Sequence, residues 1–392
     1  MPKTTIHVNR VMRSPQVLDA FIEVVRPHLP LALQGTRITE DDILYVLTHA
    51  SVHRLSLDAA CAELDAAPSA NRFREVLGAA LPNRRALQRQ LNTILRAQLP
   101  KVFRKGKRAY NLAIDLTLIP YHGQPQWDER EVARGAAKSG TTHFHAYATV
   151  SIVHDKRRYV LALVFVEKGS PMVAVVRRLL DRVKRLKIKV RRVYLDKGFC
   201  SVPVFKTLAR RHLSYIVPIP VRGKSGGVRR LFQGHASYQA PYTLTSPQHG
   251  TYTVTTVVVR RYSKGKAGHQ GVRWFVYAVA GLPTRTRPTQ VFELYRQRFG
   301  IETSYRQMNQ VRARTTSRNP TLRLLLVGLA FILVNLYVAL RGQLSSAARH
   351  APTTAAPWLS LRRLALLLGR AVEQLLGVTA IFQRRPTTLF LS

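Results

Sequence analysis

The stretch THFHAYATVSIV, residues 142–153, alternates between two kinds of side chain. Apolar residues from Phe144 to Ile152 occupy the even positions, and mostly polar residues from His143 to Ser151 occupy the odd positions. A period of two residues is that of a β-strand, whose successive side chains point to opposite faces of the sheet. We therefore predict a strand here with one apolar and one polar face.

The segments on either side of this stretch extend it into a sheet. AYNLAIDLTLIPY, residues 109–121, predicts a strand before it, and YVLALVFVE, residues 159–167, predicts a strand after the turn HDKRR. Four further elements follow in the order helix, strand, helix, strand: 171–186, 190–196, 202–211 and 214–220. The order βββ–α–β–α–β predicts an α/β fold, a mixed sheet with helices on its faces.

The rest of the chain divides by pattern. Apolar residues at helical spacing predict a helical region over residues 1–105, in which Ser56 and Ser69 are good N-caps for a helix, turn, helix unit. This unit is either a helix-turn-helix of the DNA-binding kind or a generic helical hairpin. The other predicted parts are a first piece of the sheet core (106–220), a strand-rich insertion (221–286), a second piece of the sheet core (287–345) and a C-terminal helical tail (346–392).

The chain is strongly basic. Its 392 residues include 62 Lys and Arg against 20 Asp and Glu, a net charge of +42. Such a charge predicts attraction to a polyanion, of which nucleic acid is the commonest and a membrane surface the second candidate. Cys61 and Cys200 form no disulfide framework, and the N-terminal segment has no apolar run of signal-peptide type. We therefore expect a cytoplasmic, nucleoid-associated protein.

One apolar segment, LLLVGLAFILVNLYVAL at residues 324–340, resembles a membrane span. It has 17 residues, just below the usual spanning length of about 20, and it contains Asn335. We predict a buried core helix and no membrane partner. A basic protein anchored to a membrane by this segment is the alternative, which cell fractionation would separate.

Three carboxylates attract attention because acids are scarce around them. Asp115 lies inside the first predicted strand, and Asp196 ends the strand at 190–196. Glu302 lies on a predicted basic helix that also carries Tyr295 and Arg298 on the same face. Each has a plain structural explanation: a buried salt bridge for Asp115, an ordinary turn for Asp196 and an ion pair with Arg298 for Glu302. None of the three is informative alone.

The order of these acids along the chain allows a second interpretation. A carboxylate on the first strand, another after the fourth and a third on a later helix could converge on one point. Carboxylates that lie close together repel unless cations separate them, and hard cations such as Mg²⁺ prefer oxygen ligands. Two such ions about 4 Å apart can activate a water or a 3′-hydroxyl and stabilise the leaving oxygen of a phosphodiester.

Four segments resemble the DDE transposases of bacterial and archaeal insertion sequences, most closely a halobacterial-type branch. They are IDLTLIPYHG (114–123), GTTHFHAYATV (140–150), YLDKGF (194–199) and YRQRFGIETSYRQMNQVRARTTSRNP (295–320). Tyr295, Arg298 and Glu302 match the pattern Y-x2-R-x3-E-x6-K of one group of these enzymes. The lysine position holds Asn309, so Arg306 or Arg312 would have to substitute for that lysine.

The resemblance implies a ribonuclease H-like core with a β-strand insertion, and Asp115, Asp196 and Glu302 as a triad that binds two Mg²⁺ or Mn²⁺ ions. It implies DNA transposition and recombination: metal-dependent cleavage of double-stranded DNA at terminal inverted repeats, then strand transfer into target DNA, with a homodimer in the synaptic complex. A catalytically inactive descendant that only binds DNA is the alternative. Glu167, at the end of the third predicted strand, is the rival for the third acid.

Basic, polar and aromatic residues around the acids are candidate DNA contacts. Arginines and lysines hold the phosphate backbone but specify no sequence by themselves. Trp274 could stack on an unpaired base, although a packed tryptophan is the commoner case. The predicted DNA-binding residues are Tyr295, Arg298, Arg306, Asn309, Arg312, Arg314, Lys138, His145, Lys197 and Trp274.

Overall fold

The computed structural model describes residues 13–104, 108–154, 157–264, 270–283, 285–348 and 359–379. The helices, α1 to α12, are Ser14–Val25, Glu40–His53, Leu57–Glu63, Ala70–Ala80, Arg84–Ala97, Lys101–Arg104, Met172–Arg185, Val202–Arg210, Pro288–Arg296, Gly300–Gln310, Pro320–Ala348 and Leu361–Leu376. The strands, β1 to β9, are Tyr110–Pro120, Ala133–Lys138, Thr141–His154, Arg157–Val166, Val190–Leu195, Tyr215–Pro218, Tyr238–Ser246, Gly250–Lys264 and Gln270–Ala280.

These strands form one mixed sheet, in the order β4-β3-β1-β5-β6-β9-β8-β7, with β2 beside the start of β3. β1 is antiparallel to β3 and parallel to β5, and β5 is parallel to β6. The predicted mixed α/β sheet with flanking helices is confirmed. The short strand β2 was not predicted, because its sequence ARGAAK lacks the β-branched and aromatic residues that favour strands.

The strands of the predicted insertion continue the core sheet instead of forming a separate one. β7, β8 and β9 form an antiparallel meander, and β9 pairs with β6 through Tyr215↔Ala280 to Pro218↔Tyr277. The antiparallel β9 therefore covers the edge that β6 would otherwise expose.

Both faces of strand β3 are buried, including the face that its sequence makes polar. Tyr147, Thr149 and Ser151 are fully buried on that face, and Ala146 and Ala148 are buried on the other. The apolar residues of one face join a core with α7 and α8, and Tyr147 joins a second core with α11 and the N-terminal helices. Alternation therefore distinguished two faces of the strand, but helices cover both.

The apolar segment at 324–340 lies in α11, which packs against β4 and α5 as a helix of the core. Among the described residues, one helix, Pro320–Leu344, is long and apolar enough to cross a membrane, and 83% of its most apolar window is buried in the protein. A buried core helix passes the same test of length and composition, so the prediction of such a helix agrees with the structure.

The N-terminal helices form a bundle that the C-terminal helix closes. Ser56 caps α3 as predicted, since its Oγ accepts a hydrogen bond from the Ala59 amide at 3.1 Å, and α4 follows a short turn. Helix α12 packs on α1 and α2. It is the described helix of the predicted tail 346–392, of which residues 349–358 and 380–392 lie outside the described residues, as do residues 1–12 of the N-terminal region.

Candidate active site

Asp115 lies in the middle of β1, opposite Thr149 of β3. The residue is 8% exposed, and its Oδ1 accepts a hydrogen bond from the Leu116 amide at 2.9 Å. Burial of a charge is expensive unless a partner compensates it. The partner is Arg298, whose Nη1 donates to Asp115 Oδ2 at 2.9 Å.

Asp196 follows β5, the parallel neighbour of β1. In the register of these two strands Ile114 pairs with Leu195. Asp115 and Asp196 are the residues that directly follow this pair, so the two aspartates are neighbours across the sheet. The backbone at this point is held by Tyr295, whose hydroxyl donates to the Leu195 carbonyl at 3.2 Å. The sheet thus brings two of the predicted acids together by strand pairing alone.

Glu302 lies on α10, which is not continuous with α9. A single helix carrying Tyr295, Arg298 and Glu302 was predicted, but a 3₁₀ turn at Gln297–Phe299 separates the two α-helices. Gly300 follows that turn directly, and glycine is a poor helix former. The prediction of one helix was wrong, although Arg298 and Glu302 still face each other, with Nη2 and Oε1 3.6 Å apart.

Arg298 is the centre on which the three acids converge. Besides its bond to Asp115, its Nη2 lies 3.4 Å from Asp196 Oδ1 and 3.6 Å from Glu302 Oε1. The side chain of Arg298 is 6% exposed, whereas those of Asp196 and Glu302 are 35% and 42% exposed. One buried guanidinium therefore gathers carboxylates from a strand, a strand end and a helix, and the site opens toward solvent on the side of Asp196 and Glu302.

The electrostatics follow from this burial. Burial raises the pKa of Asp115 to about 6; Arg298 and the Leu116 amide oppose the increase, and Asp196 and Glu302 add to it. For Arg298, burial acts to lower the pKa, but Tyr295 and the three carboxylates outweigh it and raise the pKa. Arg298 therefore stays charged, and Asp115 holds its proton more tightly than an exposed aspartate.

The donor set suits a hard divalent cation. Three carboxylates supply the oxygen ligands that Mg²⁺ and Mn²⁺ prefer, and they already surround one positive group. One group of three His, Cys, Asp or Glu residues in the described part of the chain has its ligand atoms within 4.8 Å of one another. That group is His49, His53 and Glu373, and not the three acids at Arg298. The ligand oxygens of Asp115, Asp196 and Glu302 are therefore not all within 4.8 Å of one another, and each of the three acids contacts the guanidinium of Arg298 instead.

A hydrogen bond that the sequence analysis missed supports the helix carrying Glu302. The hydroxyl groups of Tyr305, on α10, and Thr149, on β3, lie 2.8 Å apart and are buried. Since Thr149 is the register partner of Asp115, this bond fixes α10 against the strands behind the first acid. The signal available in the sequence was the spacing of three residues between Glu302 and Tyr305, which places both on one helical turn.

Three predicted DNA contacts are wholly or partly buried by packing within the protein. His145 is 1% exposed, and its ring lies 4.7 Å from that of Tyr121 between centroids. Tyr295 is buried against Tyr277. Trp274 is partly buried and stacks on Phe232, with ring centroids 5.7 Å apart. In this conformation none of the three side chains is freely presented to DNA, because the sheet and its helices use them for packing.

The other predicted contacts differ in exposure. Arg298 is buried in the acid cluster, and Arg312 is partly buried, with its pKa lowered by burial. The exposed ones are Lys138, Lys197, Arg306, Asn309 and Arg314. These five side chains are open to a ligand on the protein surface.

Glu167, the rival for the third acid, lies elsewhere. It follows β4, and its Oε1 forms an ion pair with Nη2 of Arg84 on α5. The acids that contact Arg298 in the described part of the chain are Asp115, Asp196 and Glu302. The geometry therefore groups Glu302, and not Glu167, with the two aspartates.

Comparisons with known proteins agree with this architecture. Residues 107–336 match the family described as Transposase DDE domain. The cryo-EM structure of the piggyBac transposase synaptic complex with hairpin DNA is similar in fold, with a TM-score of 0.56 at 12% sequence identity over 94% of this chain and 79% of that chain. The ribonuclease H-like fold predicted from the sequence is confirmed.

A second solved structure is much less similar. The X-ray structure of Marinitoga piezophila Argonaute with 5′ OH guide RNA and target DNA has a TM-score of 0.21 at 6% identity, over 59% of this chain and 32% of that chain. This likeness carries no weight for the fold. No curated protein matches the chain.

Proposed function

This chain belongs to the transposase DDE domain family, and from that membership we propose that it is a DNA transposase. It would cleave double-stranded DNA at the terminal inverted repeats of a mobile element and join the freed ends to target DNA. We further propose that it falls in the insertion-sequence group with the pattern Y-x2-R-x3-E-x6-K, in its halobacterial-type branch. Tyr295, Arg298 and Glu302 support that assignment, and Asn309 departs from it.

One observation carries the proposal: Asp115, Asp196 and Glu302, from three separate elements, all contact the buried guanidinium of Arg298. A structural salt bridge needs one carboxylate. Three around one arginine leave an excess of negative charge, in a chain whose net charge is +42. Such an excess is what a site for divalent cations requires.

Proteins of this family typically use a divalent metal, and we propose Mg²⁺ or Mn²⁺, as two ions, at Asp115, Asp196 and Glu302. Bound ions of this kind activate a water or 3′-hydroxyl and stabilise the leaving oxygen of a phosphodiester. Asp115 is the rigid ligand, since its strand and the Leu116 amide fix its carboxylate. Asp196 and Glu302 are half-exposed and face the side from which DNA can approach.

We propose that the exposed basic residues hold the DNA backbone around this site. The exposure of four basic side chains supports phosphate contacts by Lys138, Lys197, Arg306 and Arg314. The helix pair α3–α4 would contribute a further DNA-binding surface. A homodimer would hold two element ends together in the cytoplasm, next to the nucleoid.

The test is cleavage of a labelled DNA that carries the element's own end, with Mg²⁺ or Mn²⁺. Wild type is compared with Glu302→Gln and with the matched control Glu167→Gln, which changes the rival acid. We expect metal-dependent nicking by wild type and Glu167→Gln, and none by Glu302→Gln, with DNA binding retained by all three.

The other outcomes assign the alternatives. Nicking lost only in Glu167→Gln would remove Glu302 from the site. Tight binding of DNA with no cleavage by any of the three proteins would make the chain a DNA-binding protein without catalytic activity.

A further inference from the structure

A second cluster of ligand-type side chains lies where the C-terminal helix meets the N-terminal bundle. His49 and His53 are one turn apart on α2, Glu63 ends α3, and Glu373 lies on α12. None of these four side chains is among the acids that contact Arg298, so this second cluster is independent of the proposed catalytic site.

The four side chains are in direct contact. His49 Nε2 lies 3.2 Å from Glu63 Oε2, and His53 Nε2 lies 3.2 Å from Glu373 Oε1. The two imidazole rings are 4.4 Å apart between centroids. One ligand atom each from His49, His53 and Glu373 lies within 4.8 Å of the others. Three elements that are distant in sequence thus present two imidazoles and a carboxylate to one small volume.

The buried histidine has an unused ligand atom. His49 is 2% exposed, and its Nδ1 has no hydrogen-bond partner among the described residues. An ionised carboxylate only accepts hydrogen bonds, so Nε2 carries the proton that bonds Glu63, and in the neutral ring Nδ1 is left with a buried lone pair. Buried lone pairs of this kind are normally satisfied. A metal-bound imidazole that donates its other N–H to a carboxylate is the common arrangement in metal sites.

Where α2 and α12 pack together, a glycine of α12 leaves space for the imidazole of His53. Gly369 of α12 lies so close to His53 that a Cβ at this position would be 2.3 Å from His53 Nε2. A side chain at residue 369 would therefore displace the imidazole from the cluster. The absence of a Cβ lets His53 reach Glu373 one turn further along α12.

We propose that His49, His53 and Glu373 bind a divalent transition metal, and that Glu63 orients His49. Two imidazoles and one carboxylate are ligands typical of Zn²⁺, with a water in the fourth position, and unlike the all-oxygen set at Arg298. Ligand atoms on a tetrahedral zinc lie about 3.4 Å apart, so the cluster closes slightly on binding. His53 and Glu373 are 32% and 29% exposed and have room for this movement. The ion would fasten α12 to α2.

The test uses the full-length protein, stripped of metal with a chelator and titrated with ZnCl2 by calorimetry. We expect one strong zinc site per chain and a rise of the melting temperature on adding zinc. His53→Ala and Glu373→Gln should weaken zinc binding at least about tenfold, and Glu63→Gln by about tenfold or more, as the loss of an orienting partner does. Cobalt in place of zinc should give the visible absorption of a tetrahedral site.

Two controls make the result specific. His249→Ala removes an exposed histidine elsewhere, and Glu302→Gln alters the acid cluster; both should keep wild-type zinc affinity. Histidines with a purely structural role would change the melting temperature of the metal-free variants but not the shift produced by zinc. No zinc bound by wild type, or equal affinity in wild type, His53→Ala and Glu373→Gln, would overturn the proposal. If Glu302→Gln lost DNA cleavage but bound zinc as the wild type does, the acid cluster at Arg298 and the zinc site would be two separate sites.

Discussion

At the scale of the residue, Arg298 compensates the negative charge of the acid cluster. Its guanidinium is buried and touches three carboxylates, of which Asp115 is the most buried. Removing one partner of a buried ion pair is expensive because the remaining charge stays without compensation. In the structure the arginine supplies positive charge among these carboxylates, where the proposed ions would also supply it.

Arg298→Ala should therefore destabilise the metal-free protein by about 3–5 kcal/mol at pH 8. Urea unfolding followed by circular dichroism measures the change. Arg296→Ala is the matched control: its side chain is 57% exposed and pairs with Glu293, so a loss of at most about 1 kcal/mol is expected. Equal effects of the two substitutions would mean that Arg298 does not compensate the acids.

A second prediction at this scale concerns pH. Burial raises the pKa of Asp115 to about 6 in the folded protein, from an ordinary value near 3.8. The folded state then binds a proton that the unfolded state has released, so stability decreases as pH rises. The contribution is fully present below about pH 4 and is lost as pH rises through 6, a change on the order of 3 kcal/mol.

Unfolding of the metal-free protein between pH 4 and 7 tests this prediction, with Asp115→Asn as the comparison. The variant lacks the titrating group, so the stability of the wild type should fall relative to it over this range. A stability difference that does not change with pH would contradict the raised pKa of Asp115.

At the scale of the element, the edge of β4 that faces away from β3 is hydrogen-bonded by amide side chains instead of by another strand. Asn335 of α11 accepts from the Val160 amide and donates to the Val160 carbonyl, both at 2.9 Å. Asn92 of α5 does the same for Leu163 at 2.8 and 2.9 Å. The helices thus satisfy buried backbone groups that an edge strand would leave open. This explains why an amide lies inside the apolar helix α11.

Asn335→Leu should cost about 2–4 kcal/mol, because it leaves the amide and the carbonyl of Val160 buried and unpaired. The free energy of unfolding in urea measures the loss. Gln343→Leu, an exposed amide on the same helix, is the control and should change stability by less than about 0.5 kcal/mol. If both variants kept wild-type stability, the amide bonds to β4 would contribute nothing.

At the scale of the whole molecule, the net charge of +42 predicts how the protein would bind DNA, its proposed ligand. Salt bridges use several of the few acids, such as Asp181 with Arg211 and Asp128 with Arg130. Because Lys and Arg outnumber Asp and Glu by 62 to 20, the charge of most basic residues is not neutralised by an acid. Binding to DNA by such a surface releases counterions and depends steeply on salt.

We expect DNA affinity to fall by about 10³ to 10⁵ between 50 and 200 mM salt, the range for roughly six to ten phosphate contacts. Arg306→Gln should lower the slope of log affinity against log salt by about 1. Arg130→Gln is the control, since Asp128 already neutralises Arg130, and it should leave the slope unchanged. Fluorescence anisotropy of a labelled duplex measures both slopes, and a flat dependence on salt would contradict phosphate binding.

Much of the fold could be predicted because it depends on local periodicity. The alternation at 142–153 and the apolar runs around it predicted β1, β3 and β4, and the segment 190–196 predicted β5. The positions of Asp115 inside β1 and of Asp196 at the end of β5 followed from these strands. The helix start at Ser56 depends on a side chain and its nearest amide, so it too was predictable. Ser69 precedes α4 as predicted, but its side chain makes no capping hydrogen bond. The roles of Asp115, Asp196 and Glu302 as metal ligands stay a prediction.

Only the tertiary structure decided which side chains are buried and which distant residues meet. The polar face of β3 is covered because α10 and α11 return to it at Thr149 and Tyr147, and His145 is buried against Tyr121. The sequence by itself determined the strands, the charge and the scarcity of acids. Their convergence on Arg298, and the meeting of His49 with Glu373, were decided by the tertiary structure, because contacts between distant segments depend on how the whole chain packs and not on any local pattern.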